Sequence, residues 1–281
     1  MGAAPTATRL GFVSTAIGID IGGTGIKGAI VDIHTGELQT ARIKKPTPEG
    51  GEPDAIVSVV VSIIAELGDV PHGTPVGVCF PAIVQQGKTM SAANVSDKWI
   101  GLSAESLFEK ALDRDITFVN DADAAGYAEA QFGAAKDRKG LILLTTLGTG
   151  IGSAIIYNGV LVPNAELGHI ALDGHEDYER FASYAAMERD DISWKKWAGR
   201  LQKYYAHLEK LFSPDLFIVG GGVSKHWDEF FPYLHLKTEI VPAAFRNNAG
   251  ILGAAALAAH TAGIRVADEA RDLIEKATTN S

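Results

Sequence analysis

The chain has 281 residues, 46% of them hydrophobic, 21% charged and 8% aromatic, and 25 basic against 34 acidic side chains leave a net charge of −9. This mixture excludes extended disorder, collagen and a long coiled coil, and the length is one at which a single core tends to split, so two domains are expected. The acidic balance argues against non-specific nucleic-acid binding and against adhesion to an anionic membrane; a polyanionic ligand would need a local basic track.

Met1–Thr8 reads as a loose start. The run Leu10–Ile19 lacks a clear small-x-small cleavage site and continues straight into Asp20-Ile21-Gly22-Gly23, so it reads as structure and not as a secretion signal. Strands are predicted over Val13–Asp20, Ile26–Val31 and Leu38–Lys44, with a turn at His34-Thr35-Gly36-Glu37. A loop rich in proline and glycine spans Lys45–Asp54, and apolar residues at helical spacing follow over Ala55–Leu67. Next come a strand Pro75–Phe80, a hairpin around Gln85–Lys88, a helix Ala104–Leu112, a strand Ile116–Asn120 and an alanine-rich helix Asp121–Phe132. Strands Leu141–Thr146 and Ile151–Tyr157 precede a helical block, Glu176–Arg189 and then Trp194–Phe212. A strand Leu216–Gly220, a helix Gly250–Ala262 and an amphipathic tail from Val266 close the chain. Mixed elements on this scale mean an α/β protein.

The only cysteine, Cys79, sits in the apolar run Val76–Phe80, which permits no intrachain disulfide and no cysteine-cluster zinc site. No apolar stretch reaches the ~18–20 residues that span a bilayer. A cytoplasmic protein is expected, and in that setting the sequon Asn94-Val95-Ser96 has no role.

An internal repeat is more informative. Gly23-Thr24-Gly25-Ile26-Lys27-Gly28-Ala29-Ile30 matches Gly148-Thr149-Gly150-Ile151-Gly152-Ser153-Ala154-Ile155 at six of eight positions, and each copy joins two apolar strands. That is the mark of a duplicated domain, with two glycine turns offered to one cleft. Converging backbone N–H groups in such turns make a nest for phosphate oxygens; Thr24 and Thr149 add hydroxyls and Lys27 a charge. Two decoys fail their context. Gly23-x-Gly25-x-x-Gly28 has dinucleotide-binding spacing but continues as a strand where a helix is required, and the stretch Ala82–Thr89 resembles a relaxed P-loop but reads as a hairpin.

Asn120-Asp121 falls where a strand ends and a helix begins. A helix cap is the structural account; the functional one is that open α/β sheets bind ligands at the carboxyl ends of strands. A second polar cluster is Glu166-Leu167-Gly168-His169 with Glu179 beyond it, chemistry suited to vicinal hydroxyls.

Taken in order, Asp20-Ile21-Gly22-Gly23-Thr24, Asn120-Asp121, the stretch Leu147–Gly152, Glu166-Leu167-Gly168-His169 and the stretch Val219–Ser224 resemble the ROK (repressor/kinase) sugar kinases of the sugar kinase/actin/Hsp70 superfamily. Ala92–Val95 with Trp99-Ile100-Gly101, the stretch Leu161–His169 and Ser193–Ala198 are similar to the polyphosphate-dependent glucokinase branch of that family. The resemblance implies duplicated actin-like ATPase domains with a cleft between a smaller and a larger lobe. Residues 1–120 would form the smaller lobe, rejoined by a helix around 250–264, residues 121–249 the larger lobe, and 265–281 a tail.

It also implies transfer of the terminal phosphoryl group of inorganic polyphosphate, ATP or both to the 6-hydroxyl of glucose and of mannose, with Mg²⁺. Asp121 then matches the general base; Asn120, Glu166, His169 and Glu179, with Asn94 a further candidate, match the sugar ligands. Asp20, Gly22, Gly23, Thr24, Gly25, Lys27, Gly148, Thr149 and Gly150 match the phosphate loops, and Gly220, Gly221 and Gly222 the approach to adenosine. Asp20 is the side chain expected to hold Mg²⁺ through water. Many ROK proteins carry a cysteine-rich zinc motif after the Gly-His pair; Ile170–Phe181 holds no cysteine, so packing must fix that loop, and His175, Glu176 and Asp177 read as a solvated helix start.

For polyphosphate, Lys195, Lys196, Arg200 and Lys203 on one helix are a candidate track, with Lys27 and Lys225 nearer the turns. An ATP-only hexokinase and a non-catalytic sugar sensor are the alternatives, the latter disfavoured because about sixteen residues ahead of the first strand's apolar run are too few for a DNA-reading module. No nucleic-acid or membrane partner is expected, and a homodimer stays open.

Overall fold

The computed structural model describes residues 14–264; the expected loose start and the tail from Val266 lie outside the described residues. β1 (Thr15–Ile21), β2 (Gly25–Asp32) and β3 (Ile43–Pro46) form an antiparallel meander, followed by α1 (Pro53–Glu66) and β4 (Val76–Phe80). A small hairpin, β5 (Val84–Gln85) and β6 (Lys88–Thr89), leads to α2 (Ala104–Leu112) and β7 (Thr117–Asn120). α3 (Asp121–Phe132) crosses to a second meander of β8 (Leu141–Leu147), β9 (Ile151–Tyr157) and β10 (Val160–Val162). Then come α4 (Glu179–Ala182), α5 (Tyr184–Arg189), α6 (Trp194–Phe212), β11 (Leu216–Gly220), α7 (Trp227–Phe230), β12 (Glu239–Pro242) and α8 (Ala249–Thr261).

The two sheets have the same topology. The first runs β3-β2-β1-β4-β7 and the second β10-β9-β8-β11-β12, each with three antiparallel strands continued by two parallel ones. α1 and α2 cover one face of the first sheet around Ile63, Trp99 and Phe108, and α6 covers the second around Trp197, Tyr205 and Phe217. Between the sheets lie α3 and α8, built largely of alanine and glycine because both must approach backbone. A Cβ on Gly77 would come within 1.9 Å of the Ala254 carbonyl oxygen, and one on Gly253 within 1.7 Å of the Ala124 carbonyl oxygen. Any side chain at these positions would push α8 off the sheet or off α3.

Three sequence readings change. Leu38 makes only an isolated bridge to Val31, and the third strand starts at Ile43, because the Thr40 hydroxyl accepts from the Ile30 N–H and interrupts the ladder. The block Glu176–Arg189 is two short helices broken at Ser183, whose hydroxyl caps the second by accepting from Ala186 N–H. The edge strands β10 and β12 were not expected at all; one has three residues and the other ends in proline. No helix among the described residues is long and apolar enough to cross a membrane.

Candidate active site

A cleft of about 690 Å³ opens between the two sheets. It is lined by Gly22 and Gly23 from the first turn, Gly148, Thr149 and Gly150 from the second, and Asn94, Asn120, Asp121, Glu166, His169 and Glu179. A smaller cavity of about 180 Å³ shares Asp121 and Gly221 with it and adds Asp20, Lys27, Gly220, Gly222 and Arg246. Residues far apart in sequence meet here because both meanders turn at the same end of their sheets and α3 starts between them.

The cap question at Asn120-Asp121 has a local answer. Asn120 is the N-cap of α3: its Oδ1 accepts from the N–H groups of Ala122 (2.8 Å) and Asp123 (3.0 Å), and its Nδ2 donates to the Ala82 carbonyl (3.0 Å). Such a cap contributes about 1 kcal/mol. Asp121 is thereby relieved of capping and is the first helical residue, its Oδ1 accepting from Ala122 N–H at 2.8 Å. Burial, then the Asp20 carboxylate, push its pKa up to about 7 against that bond, with Glu166 and Asp123 adding to the rise. A carboxylate held near neutrality is a competent proton acceptor.

The cluster of Glu166, His169 and Glu179 is fixed by protein contacts alone. Ser153 Oγ donates to the Ala165 carbonyl and accepts from Leu167 N–H at 2.8 Å, tying the loop that carries Glu166 to β9. Glu179 Oε2 accepts from Ile151 N–H at 2.8 Å, which joins this loop to the end of the second glycine turn. Asp177, expected to be solvated, instead meets the His169 ring: its Oδ1 lies 3.2 Å from Nδ1, and its Oδ2 accepts from Arg180 Nε at 3.0 Å. His169, Asp177 and Glu179 offer three ligand atoms within 4.8 Å of one another, but each already has a protein partner. Burial raises the Glu166 pKa, opposed by His169 and reinforced by Glu179.

The smaller cavity differs. Lys27 Nζ lies 2.8 Å from Asp20 Oδ2, and the two face each other directly in the β1–β2 register. Gly221 has φ +81°, and a Cβ there would come within 2.4 Å of the Leu147 carbonyl oxygen, so only glycine brings the stretch 220–222 against the second turn. Asp20 offers one carboxylate at the wall of this cavity, a donor that suits Mg²⁺, an ion that keeps several waters and takes one or two carboxylates plus substrate phosphates.

The proposed cation stripe on α6 is not gathered to this site: none of Lys195, Lys196, Arg200 and Lys203 lines the cleft or the cavity. Arg200 is bound to Asp190 Oδ2 (2.7 Å) and to the Phe181 carbonyl (2.7 Å), and Lys203 to Asp173 Oδ2 (2.5 Å). Lys195 lies over the Tyr233 ring, and Lys225 is exposed outside both lining sets. Helical spacing puts Lys196, Arg200 and Lys203 on one face, with Lys195 beside it, but does not tell which acids reach that face. Asp123 also went unnoticed. It is 1% exposed, its Oδ2 accepts from Asn164 N–H at 2.8 Å, its Oδ1 has no partner among the described residues, and burial pushes its pKa up to about 7. The Asn120–Asp123 spacing on one helix start was the only signal for it.

The sequence profile of the ROK family matches residues 16–190. The polyphosphate glucokinase of Mycobacterium tuberculosis is 44% identical over 251 residues, 89% of this chain and 91% of its own length. The crystal structure of the inorganic polyphosphate/ATP-glucomannokinase from Arthrobacter sp. strain KM superposes with a TM-score of 0.84 at 52% identity, covering 88% of this chain and 99% of that one. A ROK family glucokinase from Streptomyces griseus, solved with glucose and AMPPNP, gives 0.74 at 25% identity over 88% and 99%. With its profile matched over more than half the chain and a close relative spanned almost throughout, this protein belongs to the ROK family.

Proposed function

We propose that this protein is a glucokinase that moves the terminal phosphoryl group of inorganic polyphosphate and of ATP to the 6-hydroxyl of glucose, and of mannose. The observation that carries the reading is the meeting of Asp121 with both glycine turns and with Glu166, His169 and Glu179 in one cleft. The names of the Mycobacterium and Arthrobacter relatives support the choice of donor and sugar. An acidic chain with one buried cysteine suits a reducing cytoplasm.

In this reading glucose lies against Glu166, His169, Glu179 and Asn94, while Asn120 offers its remaining amide hydrogen. Asp121 accepts the proton of the 6-hydroxyl as its oxygen bonds to the terminal phosphorus, and the bond from that phosphorus to the bridging oxygen breaks. The N–H groups of the two turns, with Thr24 and Thr149, hold the donor's outer oxygens in line. Positioning of this kind removes ~7–11 kcal/mol of barrier, and a placed base adds roughly 10²–10⁴-fold. Mg²⁺, when bound, neutralises charge on the donor phosphates, and Asp20 is the residue to hold it through water. We further propose that the halves built on the two sheets close over the sugar and exclude water from the transferred group.

The test is a coupled assay pairing glucose or mannose with polyphosphate or ATP. Formation of the 6-phosphate with both donors is expected. Turnover with ATP alone would reduce the reading to an ATP hexokinase, and sugar binding without turnover would make the protein a sensor.

A further inference from the structure

We infer that long-chain polyphosphate leaves the site along a strip of four cations, Lys27, Lys44, Arg42 and Arg246, at the edge of the first sheet, and not along α6. This rests on the polyphosphate reading above and assigns the path of that donor.

The strip begins inside. Lys27 and Arg246 line the same 180 Å³ cavity as Asp20, Asp121 and the stretch Gly220–Gly222. Lys44 is the register partner of Lys27 across β2 and β3, so the two side chains leave the same face of the sheet. A Cβ built on Gly25, at the end of the first phosphate turn, would lie 3.0 Å from Lys44 Cε, which puts the lysine stem directly over that turn. Arg42, just ahead of β3, donates to Asn248 Oδ1 at 2.8 Å and to the Asn247 carbonyl at 3.5 Å. Those two residues directly follow Arg246, which holds a left-handed φ of 46°. Glu129 fixes the same loop, its Oε1 accepting from Phe245 N–H at 3.0 Å.

The cations are available. Among the described residues Lys44 and Arg246 have no ion pair and Arg42 bonds only neutral groups, whereas Lys27 answers Asp20. Of the acids in the cavity, Glu129 is fully buried and spends both oxygens on backbone N–H groups, those of Phe245 and Ala134. On α6, by contrast, Arg200 and Lys203 are already neutralised by Asp190 and Asp173. Cross-strand neighbours stand ~4.5–5.5 Å apart and alternate residues of a strand roughly 7 Å apart, a spacing that can follow a chain with about one negative charge per unit. The cavity is also small beside the cleft, 180 against 690 Å³, so a long donor must continue outside it.

Initial rates at saturating glucose, with long-chain polyphosphate, tripolyphosphate and ATP, test the path in the parent protein and in Lys44→Glu, Arg246→Glu and Lys196→Glu. We expect Lys44→Glu to raise the KM for long-chain polyphosphate on the order of tenfold, to move that for ATP less than about twofold, and Lys44→Arg to restore the parent value. Arg246→Glu, inside the cavity, should raise KM for all three donors. The slope of log KM against log salt for long polyphosphate should become shallower by about one in Lys44→Gln. Equal effects of Lys44→Glu on ATP and polyphosphate, or an effect of Lys196→Glu with Lys44→Glu silent, would overturn the strip while leaving the glucokinase reading intact. A parent protein inert with polyphosphate but active with ATP would overturn the polyphosphate reading, and the strip with it.

Discussion

The two glycine turns are copies of one hairpin that have taken on different dress. In the first, Ile21 pairs with Ile26 around four intervening residues, and the next pair inward is Asp20 with Lys27, a cross-strand ion pair. In the second, Leu147 pairs with Ile151 around three, and the next pair is Thr146 with Gly152, uncharged. Around the first turn gather Lys44 and the Asp20 carboxylate; around the second, Glu179 on Ile151 N–H and the Gly148 carbonyl accepting from Ala185 N–H. The same backbone thus carries a charged pair beyond its turn in one half and an uncharged pair, braced by Glu179, in the other. Duplication supplies two glycine turns; on the reading proposed above, the side chains one residue beyond each turn distinguish the donor side from the acceptor side.

Asp121, between the two, is where that division can be broken most completely. Asp121→Asn should lower kcat by roughly 10²–10⁴-fold or more while glucose affinity stays within a few-fold, as measured by steady-state rates and calorimetric titration. Because burial and Asp20 raise its pKa to about 7, kcat/KM should fall on the acid side with a midpoint near pH 7 and level off above it. Stability carries the opposite sign. The native carboxyl keeps its proton up to about pH 7 while the unfolded chain releases it near the ordinary value of 3.8, so stability declines as pH rises through that window. Asp121→Asn removes the penalty, and its melting temperature should exceed the parent's increasingly from pH 5 to about 7, the gap levelling off above that.

On the second side, Gly221→Ala should cost about 1–3 kcal/mol, read by urea unfolding, since it forces a side chain into a left-handed backbone against Leu147. Asp177→Asn should raise the KM for glucose several-fold with a smaller change in kcat, because the ring of His169 loses its charged partner. The smallest expected effect sharpens the electrostatic account. Asp123→Asn removes one buried like charge near Asp121 and should move the acid limb of the pH profile to lower pH by a fraction of a unit.

Much of this molecule is legible locally. α2, α3, α6, β9 and β11 fall on the bounds that periodicity, alanine content and flanking polar residues predict, and Ser193 caps α6 by accepting from Lys196 N–H. The helix start at Asn120 is equally local, although which of two adjacent polar residues would cap it is settled only by backbone geometry, with Asn120 extended and Asp121 helical. β10 and β12 escaped because a strand of three or four residues at a sheet edge owes its existence to the neighbour it pairs with, not to its own pattern. The α6 cations show the same limit: their shared face followed from 3.6-residue periodicity, but Asp173 and Asp190 arrive from separate loops.

The twin strand–turn–strand units, the order of the motifs and the absence of any cysteine-built zinc site are written into the chain locally, since turn chemistry, strand period and residue inventory are properties of short stretches of residues. How acidic Asp121 is, what steadies His169 and which cations lack an ion pair among the described residues emerge only when distant segments pack together. Each of those depends on desolvation and charge summed over groups that the chain brings together from both sheets, such as Asp20 beside Asp121 and Lys44 over Gly25, and no local pattern encodes such sums.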